Sequence, residues 1–201
     1  MKTTREKILS EAFKLFLKRG YNGVSMNDLV KSSGLSKGAF YHYFAGKEEL
    51  FCEAVTGSFF TATGEMSFEP SSAATLEENL KALIRFKAEL FKNLQKRTGI
   101  KNLDSGYFTL IFDGINRSPA FREALKFAGS SEETILKKIF KQAKQSGELE
   151  TTLKASELAL IYSSMLDGLE LHAVVEGALD KLHERETEAT VNFCKLLIIR
   201  L

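Results

Sequence analysis

The sequence has few of the features that mark secreted, metal-dependent or membrane-embedded proteins. It contains two cysteines in 201 residues, Cys52 and Cys194, with no CxxC pair. Cysteines so few and so far apart argue against a disulfide framework or a zinc site, and predict buried thiols in a reducing compartment. The aliphatic runs reach only about four residues, too short for a bilayer span or a signal peptide. We therefore predict a cytoplasmic protein without membrane association.

Catalytic spacings are also missing from the sequence. It has no phosphate-binding loop, no HExxH and no nucleophile elbow. His172 and Glu176 are four residues apart and share a predicted helical face, as two metal ligands can, but no third ligand is evident. We predict that the chain is not an enzyme and that it binds no metal or other cofactor.

The residues that are present favour helices along the whole chain. Apolar positions recur at steps of three and four from Thr4 to Arg19, and similar patterns continue towards the C-terminus. The stretch from Asn102 to Ile115 could be a strand by composition, because it is aromatic and aliphatic. A helix is preferred there, since its neighbours are helical and no partner strand is nearby. The sequence predicts an all-α fold of about nine helices.

Residues 24–51 contain two short predicted helices joined by a glycine turn. Ser25 and Asp28 form a capping pattern for the first helix, and Gly34 supplies the left-handed residue that a tight turn requires. In the second helix, Phe40 and Phe44 share an inward face. The residues left facing outward are Lys37, Gly38, Tyr41 and His42. Such a helix is suited to the major groove of DNA, although a helical hairpin with a solvated polar face has the same pattern.

Positive charge is concentrated around this hairpin. The segment from Met1 to Glu48 holds nine Lys and Arg against four Asp and Glu, so the rest of the chain carries a net charge of −3. Lys47 opens the next helix, where its cation and the backbone N–H groups can together hold a phosphate. This distribution of charge favours contact with the DNA backbone at the N-terminal end.

The same residues resemble a known family. GLSKGAFYHYF at residues 34–44, followed by GKEEL at residues 46–50, closely resembles the DNA-binding signature of the TetR family of bacterial transcriptional regulators. The resemblance extends back through ILSEAFKLFLKRGYNGVSM at residues 8–26 and covers about the first fifty residues. One departure is Val30, which stands where many members have alanine at the crossing of the two motif helices.

The resemblance implies a regulator with two domains, a helix-turn-helix DNA-binding domain at residues 1–46 and a helical effector-binding and dimerisation domain at residues 47–201. Its function would be a ligand-responsive repressor of a palindromic operator in double-stranded DNA. The predicted phosphate contacts are Ser25, Ser36, Tyr41 and Lys47. The predicted base or groove contacts are Lys37, Gly38 and His42, and His42 could instead bond to phosphate.

Family resemblance also implies an effector cavity among the central helices. The candidates that could line it, around a small and mostly apolar molecule, are Phe86, Tyr107, Phe108, Phe112, Asp113, Asn116 and Tyr162. Aromatic residues at this density fill ordinary cores in most proteins, so a pocket does not follow from them.

A DNA reader with one motif per chain requires a two-fold partner, which predicts a homodimer. The last two predicted helices have apolar stripes that could form a four-helix interface. The candidate interface residues are Ile161, Met165, Gly168, His172, Cys194, Leu197, Ile198 and Leu201. Alternatively, both stripes face the chain's own core. A second function remains open, a helical module that binds a lipid-like ligand or a protein without any role in DNA binding.

Overall fold

The computed structural model describes residues 3–63, 67–98 and 105–198. These residues form nine α-helices and one short 3₁₀ helix, Leu179–Lys181, and contain no strand, which confirms the predicted all-α class. The α-helices are α1 (Thr4–Arg19), α2 (Met26–Ser33), α3 (Lys37–Tyr43), α4 (Lys47–Thr63), α5 (Leu76–Thr98), α6 (Ser105–Arg117), α7 (Pro119–Gln145), α8 (Ala155–Glu176) and α9 (Leu182–Ile198).

Two ambiguous stretches of the sequence prove to be helical. The aromatic segment that could have been a strand forms α6, as preferred. The glycine and serine residues at positions 129–131 suggested an interruption of α7, and that expectation is wrong, because α7 continues through them. The hydroxyl of Thr134 donates to the carbonyl oxygen of Ser130 at 2.8 Å, so this polar side chain is accommodated within the helix.

The chain divides into two compact units. Unit 1 contains Met1–Glu65 and Asn93–Phe127, and unit 2 contains Met66–Lys92 and Ala128–Leu201. The predicted domains, 1–46 and 47–201, stay a prediction. The compact units are divided differently because α4 and α6 both pack against α1.

The core of unit 1 is aromatic. Phe16 on α1 meets Phe51 on α4 edge to face, with ring centroids 4.9 Å apart, and both side chains are fully buried. Phe40 and Phe44 are buried as predicted and hold α3 against this core. On α6, the backbone of Gly114 lies against the ring of Phe121, so close that an added Cβ would be 2.5 Å from that ring. Helix α6 itself packs against α1 and α4, which joins it to this core.

Unit 2 has its own apolar core, built from α5, α7, α8 and α9. Phe140, Tyr162 and Phe193 meet at its centre, with ring centroids between 5.3 and 6.2 Å apart. The buried hydroxyl of Tyr162 is 2.7 Å from that of Thr190, which satisfies both polar groups. Burial of so many apolar groups makes this core the main source of stability in unit 2.

Charged residues meet beside this core. The ammonium of Lys87 on α5 donates to the carboxylate of Glu132 on α7 at 2.7 Å, and both side chains are partly exposed, at 32% and 21%. Burial would lower the pKa of Lys87, but the attraction of Glu132, Glu186 and Glu170 outweighs it and raises that pKa. The cluster therefore combines one lysine with carboxylates from three other helices.

Helix α8 is apolar on two sides. Leu158, Tyr162 and Leu166 face the core of unit 2, whereas Leu171 and Val175 are exposed. Among the described residues, α8 is the helix whose length and composition would suffice to cross a membrane. One of its two apolar faces is covered by the core of unit 2, and the other is exposed in this chain.

Candidate nucleic-acid interface

The first helix of the hairpin forms because both of its ends are capped. The N–H of Asp28 donates to the Ser25 hydroxyl oxygen at 3.1 Å, and the N–H of Ser25 donates to the Asp28 carboxylate at 2.9 Å. The Ser25 hydroxyl also donates to the Asp28 carboxylate, and this bond together with the one from the Ser25 N–H lowers the pKa of Asp28. Gly34 ends the helix with φ of 69°, a backbone conformation that glycine adopts without strain. The predicted capping residues and turn are confirmed, and the helix is eight residues long.

The second helix, α3, presents a polar face to solvent. Its N-cap is Ser36, whose hydroxyl accepts the N–H of Ala39 at 3.3 Å, and Phe40 anchors its inner side. Tyr41 is 42% exposed, and the exposed positions beside it are Lys37, Gly38 and His42. A Cβ added to Gly38 would have no neighbour within 4 Å, so the glycine leaves the surface locally flat. This face has the donors and the low relief that a major groove can accept.

Arg5 fixes the hairpin to its neighbours. Its guanidinium donates to both carboxylate oxygens of Glu53 on α4 at 2.6 Å and lies 4.9 Å from the ring centroid of Phe44. The first residues of α1 are thereby joined to the end of α3 and to α4. These contacts orient the polar face of α3 from behind.

Lys47 is bound to the loop between α1 and α2. Its ammonium donates to the carbonyl oxygens of Tyr21 at 3.1 Å and of Val24 at 3.0 Å, and it lies 4.0 Å from the ring centroid of Tyr21. Two of its three N–H groups are therefore engaged by backbone oxygens, and the cation also meets an aromatic ring. The sequence predicted that Lys47 contacts phosphate and did not reveal these partners within the chain.

Tyr21 is also held from α6. Its backbone N–H donates to the carboxylate of Asp113 at 3.0 Å, and the guanidinium carbon of Arg117 lies 3.7 Å from its ring centroid. Arg117 Nε is buried, 3.8 Å from Asp113 Oδ1, which is beyond hydrogen-bonding distance. The loop before α2 is therefore bound by residues 92 positions away in the sequence.

Residues 8–54, which contain this hairpin and its supporting helices, match the family described as bacterial regulatory proteins, tetR family. This match concerns the N-terminal region and less than half of the chain. A relative of known sequence, the HTH-type transcriptional regulator YxaF of Bacillus subtilis, is 40% identical over 100 residues. Those residues are 48% of this chain and 51% of YxaF, so the chain spans about half the length of the curated relative it matches. The named relatives are transcriptional regulators, which are not enzymes.

Solved structures of TetR-type regulators share the fold over nearly the whole chain. Reduced NemR of Escherichia coli matches with a TM-score of 0.63 and 18% identity, covering 98% of each chain. A transcriptional regulator from Saccharomonospora viridis, solved in complex with choline, matches with a TM-score of 0.64 and 21% identity over 95% of each chain. At this level of identity the likeness concerns the fold, which agrees with the nine helices described above.

The seven predicted DNA contacts all lie in unit 1, and their roles stay predictions. Ser25 and Ser36 are exposed N-caps whose side chains serve α2 and α3. Lys37, Gly38, Tyr41 and His42 share the exposed part of α3. Lys47 is the exception, because its ammonium is turned towards the loop at Tyr21 rather than left free in solvent.

The residues predicted to line an effector pocket are divided between the two units. Tyr107, Phe108, Phe112, Asp113 and Asn116 belong to unit 1, while Phe86 and Tyr162 belong to unit 2. Tyr162 is fully buried in the core, and Asp113 bonds to the loop at Tyr21, so both have structural partners that the sequence did not reveal. Their role towards an effector stays a prediction.

The predicted dimer residues differ in exposure. Ile161 and His172 are exposed, whereas Met165 and Leu197 pack partly against the core of unit 2. Cys194 is fully buried within the chain, where burial raises its pKa to about 12, so its side chain has no surface to offer a partner. The side chain of Ile198 and all of Leu201 lie outside the described residues. The exposed apolar residues that sequence periodicity missed are Leu160, Leu171, Val175 and Leu196.

Proposed function

We propose that this chain is a TetR-type transcriptional repressor that binds a palindromic operator as a homodimer and is released by a small-molecule effector. The observation that carries the proposal is the exposed face of α3, which presents Lys37, Gly38, Tyr41 and His42 from a helix anchored by buried phenylalanines. We propose that it acts in the bacterial cytoplasm, where operator DNA lies.

The decisive test is binding to the DNA upstream of the chain's own gene. Fluorescence anisotropy over a salt series should show affinity that is sequence-selective and falls steeply with salt. Lys37→Ala should weaken binding about tenfold and relax the selectivity for the upstream sequence, because Lys37 is predicted to contact bases or the groove. Lys137→Ala provides the matched control, since this exposed lysine lies on α7 in unit 2. Wild-type protein without salt-sensitive, sequence-selective binding would contradict the proposed function.

The homodimer is proposed from the second apolar face of α8. Leu160, Ile161, Leu171 and Val175 recur on this helix at spacings that place them on one side, and Val175 is 79% exposed. Leu196 on α9 is 72% exposed. A second copy of the same face would remove these apolar groups from water and bring two α3 helices into one assembly.

Analytical ultracentrifugation tests this assembly directly. Leu171→Glu should convert the dimer to a monomer and abolish high-affinity operator binding, because each monomer then reads a single half-site. Glu133→Gln serves as the control, since it changes an exposed charge on α7, outside the proposed face of α8. A monomeric wild-type protein that instead binds phospholipid vesicles through α8 would contradict the dimer and favour the lipid-binding alternative.

An effector is proposed by analogy with the relatives and from the aromatic side chains of α6. Phe112 is 60% exposed and stands near Tyr107 and Phe108 on the same helix, which gives an apolar molecule a surface to contact. The neighbouring structure from Saccharomonospora viridis contains choline, whose quaternary ammonium group can also contact aromatic faces, so choline is the first compound to test. Release of bound operator DNA by the compound, and loss of that release in Phe112→Ala, would support the assignment.

A further inference from the structure

We propose that Asp113 and Arg117 on α6 are positioning residues for DNA binding, because they fix Tyr21 and thereby the loop that begins α2 and holds Lys47. The inference rests on the DNA-binding function proposed above. It assigns a task to two residues that lie on α6, outside the hairpin that would read the DNA.

The first step is the direct attachment of the loop to α6. Tyr21 donates its backbone N–H to Asp113, and Gly20 precedes it with φ of 66°. A Cβ added at Gly20 would lie 3.2 Å from the Thr109 side chain, so α6 approaches the backbone of this loop closely. Residues of α6 thus contact the backbone of residues 20 and 21 directly. A change in the position of α6 would therefore move this backbone.

The second step is the meeting of two cations at one ring. Arg117 and Lys47 lie 3.7 and 4.0 Å from the ring centroid of Tyr21, well inside the range at which an aromatic face attracts a cation. Phe51 meets the same ring edge to face at 5.0 Å and restricts its rotation. The orientation of Tyr21 consequently decides where the Lys47 ammonium rests, because that ammonium also bonds to the Tyr21 carbonyl oxygen.

The third step leads to the DNA-reading helices. Val24, whose carbonyl oxygen accepts from Lys47, is followed directly by Ser25, the N-cap of α2. Ser25 and Lys47 are both predicted to contact phosphate. Ser25 follows directly after the loop, and carbonyl oxygens of the loop bind the Lys47 ammonium. Release of Tyr21 by α6 would alter the start of α2 and the partners of Lys47 together. Asp113 and Arg117 thus act on DNA binding through Tyr21 rather than by touching DNA.

Arg117→Gln tests this role against a matched variant, Arg122→Gln. Arg122 lies in the same unit and donates to the Ile115 carbonyl oxygen at 2.6 Å, but it is absent from the ring contacts of Tyr21. We expect Arg117→Gln to weaken binding to the upstream DNA about tenfold, whereas Arg122→Gln should change it less than about twofold. Arg117→Lys, which retains the cation, should restore most of the affinity.

Two further readouts separate positioning from a loss of folded protein. The active fraction from stoichiometric titration and the helical circular dichroism should remain those of the wild type. In a double-mutant cycle, the effects of Arg117→Gln and Lys47→Met on operator affinity should be less than additive, because both act through Tyr21. Purely additive effects would contradict the coupling.

The chain lacks tryptophan, so Tyr21→Trp introduces a single indole reporter that needs no DNA. Adding Arg117→Gln to Tyr21→Trp should shift and brighten its emission, while adding Arg122→Gln should not. If the wild type binds the upstream DNA selectively and Arg117→Gln binds it equally well, this inference is overturned and the proposed function stands. If the wild type shows no selective binding, both fail.

Discussion

Lys47 in unit 1 and Lys87 in unit 2 are both partly buried, yet they are satisfied by different kinds of group. Lys47 meets neutral partners, two carbonyl oxygens and a tyrosine ring. Lys87 bonds to one carboxylate, Glu132, and acts on further carboxylates that include Glu170 and Glu186. The contacts of Lys47 do not depend on a partner's charge, whereas those of Lys87 do.

This difference predicts different responses to pH. Burial raises the pKa of Glu186 to about 7. The positive charge of Lys87 opposes this increase in pKa. Repulsion from the carboxylates of Glu170, Glu132 and Asp167 adds to the increase. Carbonyl oxygens and tyrosine rings have no titration near neutral pH. Unit 2 should therefore lose stability as the pH rises towards 7, while the Lys47 contacts in unit 1 should persist.

Replacing each lysine by methionine gives the largest effect expected from this comparison. Lys87→Met should lower the free energy of unfolding by about 2–3 kcal/mol at pH 8, because it leaves the carboxylates around it without their cation. At pH 5 the loss should be smaller, since the raised carboxylate pKa values favour their neutral forms. Lys47→Met should cost about 1 kcal/mol at both pH values. Urea unfolding at the two pH values measures both; equal pH dependence of the two variants would refute the distinction.

Glu186→Gln removes the titrating group and should have the next largest effect. A carboxyl whose pKa is raised by folding contributes stability that is complete below its unfolded pKa near 4.5 and is lost as the pH rises through about 7. The variant should therefore be more stable than the wild type by about 1–2 kcal/mol at pH 8, after allowance for partial exposure. It should also show a flatter stability profile between pH 5 and 7. Glu188→Gln, an exposed change on the same helix, should leave the profile intact.

Gly38→Ala should have the smallest effect on stability but a clear effect on function. Alanine at this helical position meets no neighbour within 4 Å and should stabilise the fold by about 0.5–1 kcal/mol. Operator affinity should fall, since the added methyl group raises the surface proposed to enter the groove. Gly129→Ala on α7, which is equally open, should give a similar stability gain with unchanged DNA binding. Thermal melts and anisotropy titrations would separate the two outcomes; unchanged affinity in Gly38→Ala would remove Gly38 from the interface.

The sequence predicted the hairpin well because its signals are local. Ser25 and Asp28 are three residues apart, and Gly34 ends the same helix, so capping and turn chemistry could be recognised without knowledge of the fold. The contact between Tyr21 and Asp113 could not be recognised in this way, since these residues are 92 positions apart. Local patterns define a helix and its ends, but not the distant residue that holds it.

The spacing of apolar residues was also insufficient to predict which side of α8 is exposed. This helix has apolar residues on two sides, and spacing alone does not reveal which side faces the chain's own core. The predicted interface included Met165, which packs partly against the core of unit 2, whereas Val175, which was not predicted, is exposed. The choice is made by packing against α9 and the rest of unit 2, which is a property of the assembled fold.

The discontinuity of unit 1 has a consequence for the order in which the protein folds. Its second segment, Asn93–Phe127, follows a long part of unit 2 in the chain. During synthesis, α1 to α4 emerge from the ribosome before α6 does. The hydrogen bond from the Tyr21 N–H to Asp113 therefore cannot form until α6 has emerged. Closing such a contact across 92 residues carries a larger entropic cost than forming a helical turn. Helices α2 and α3 can therefore form early, but the loop between α1 and α2 acquires its native anchorage only after α6 has been synthesised.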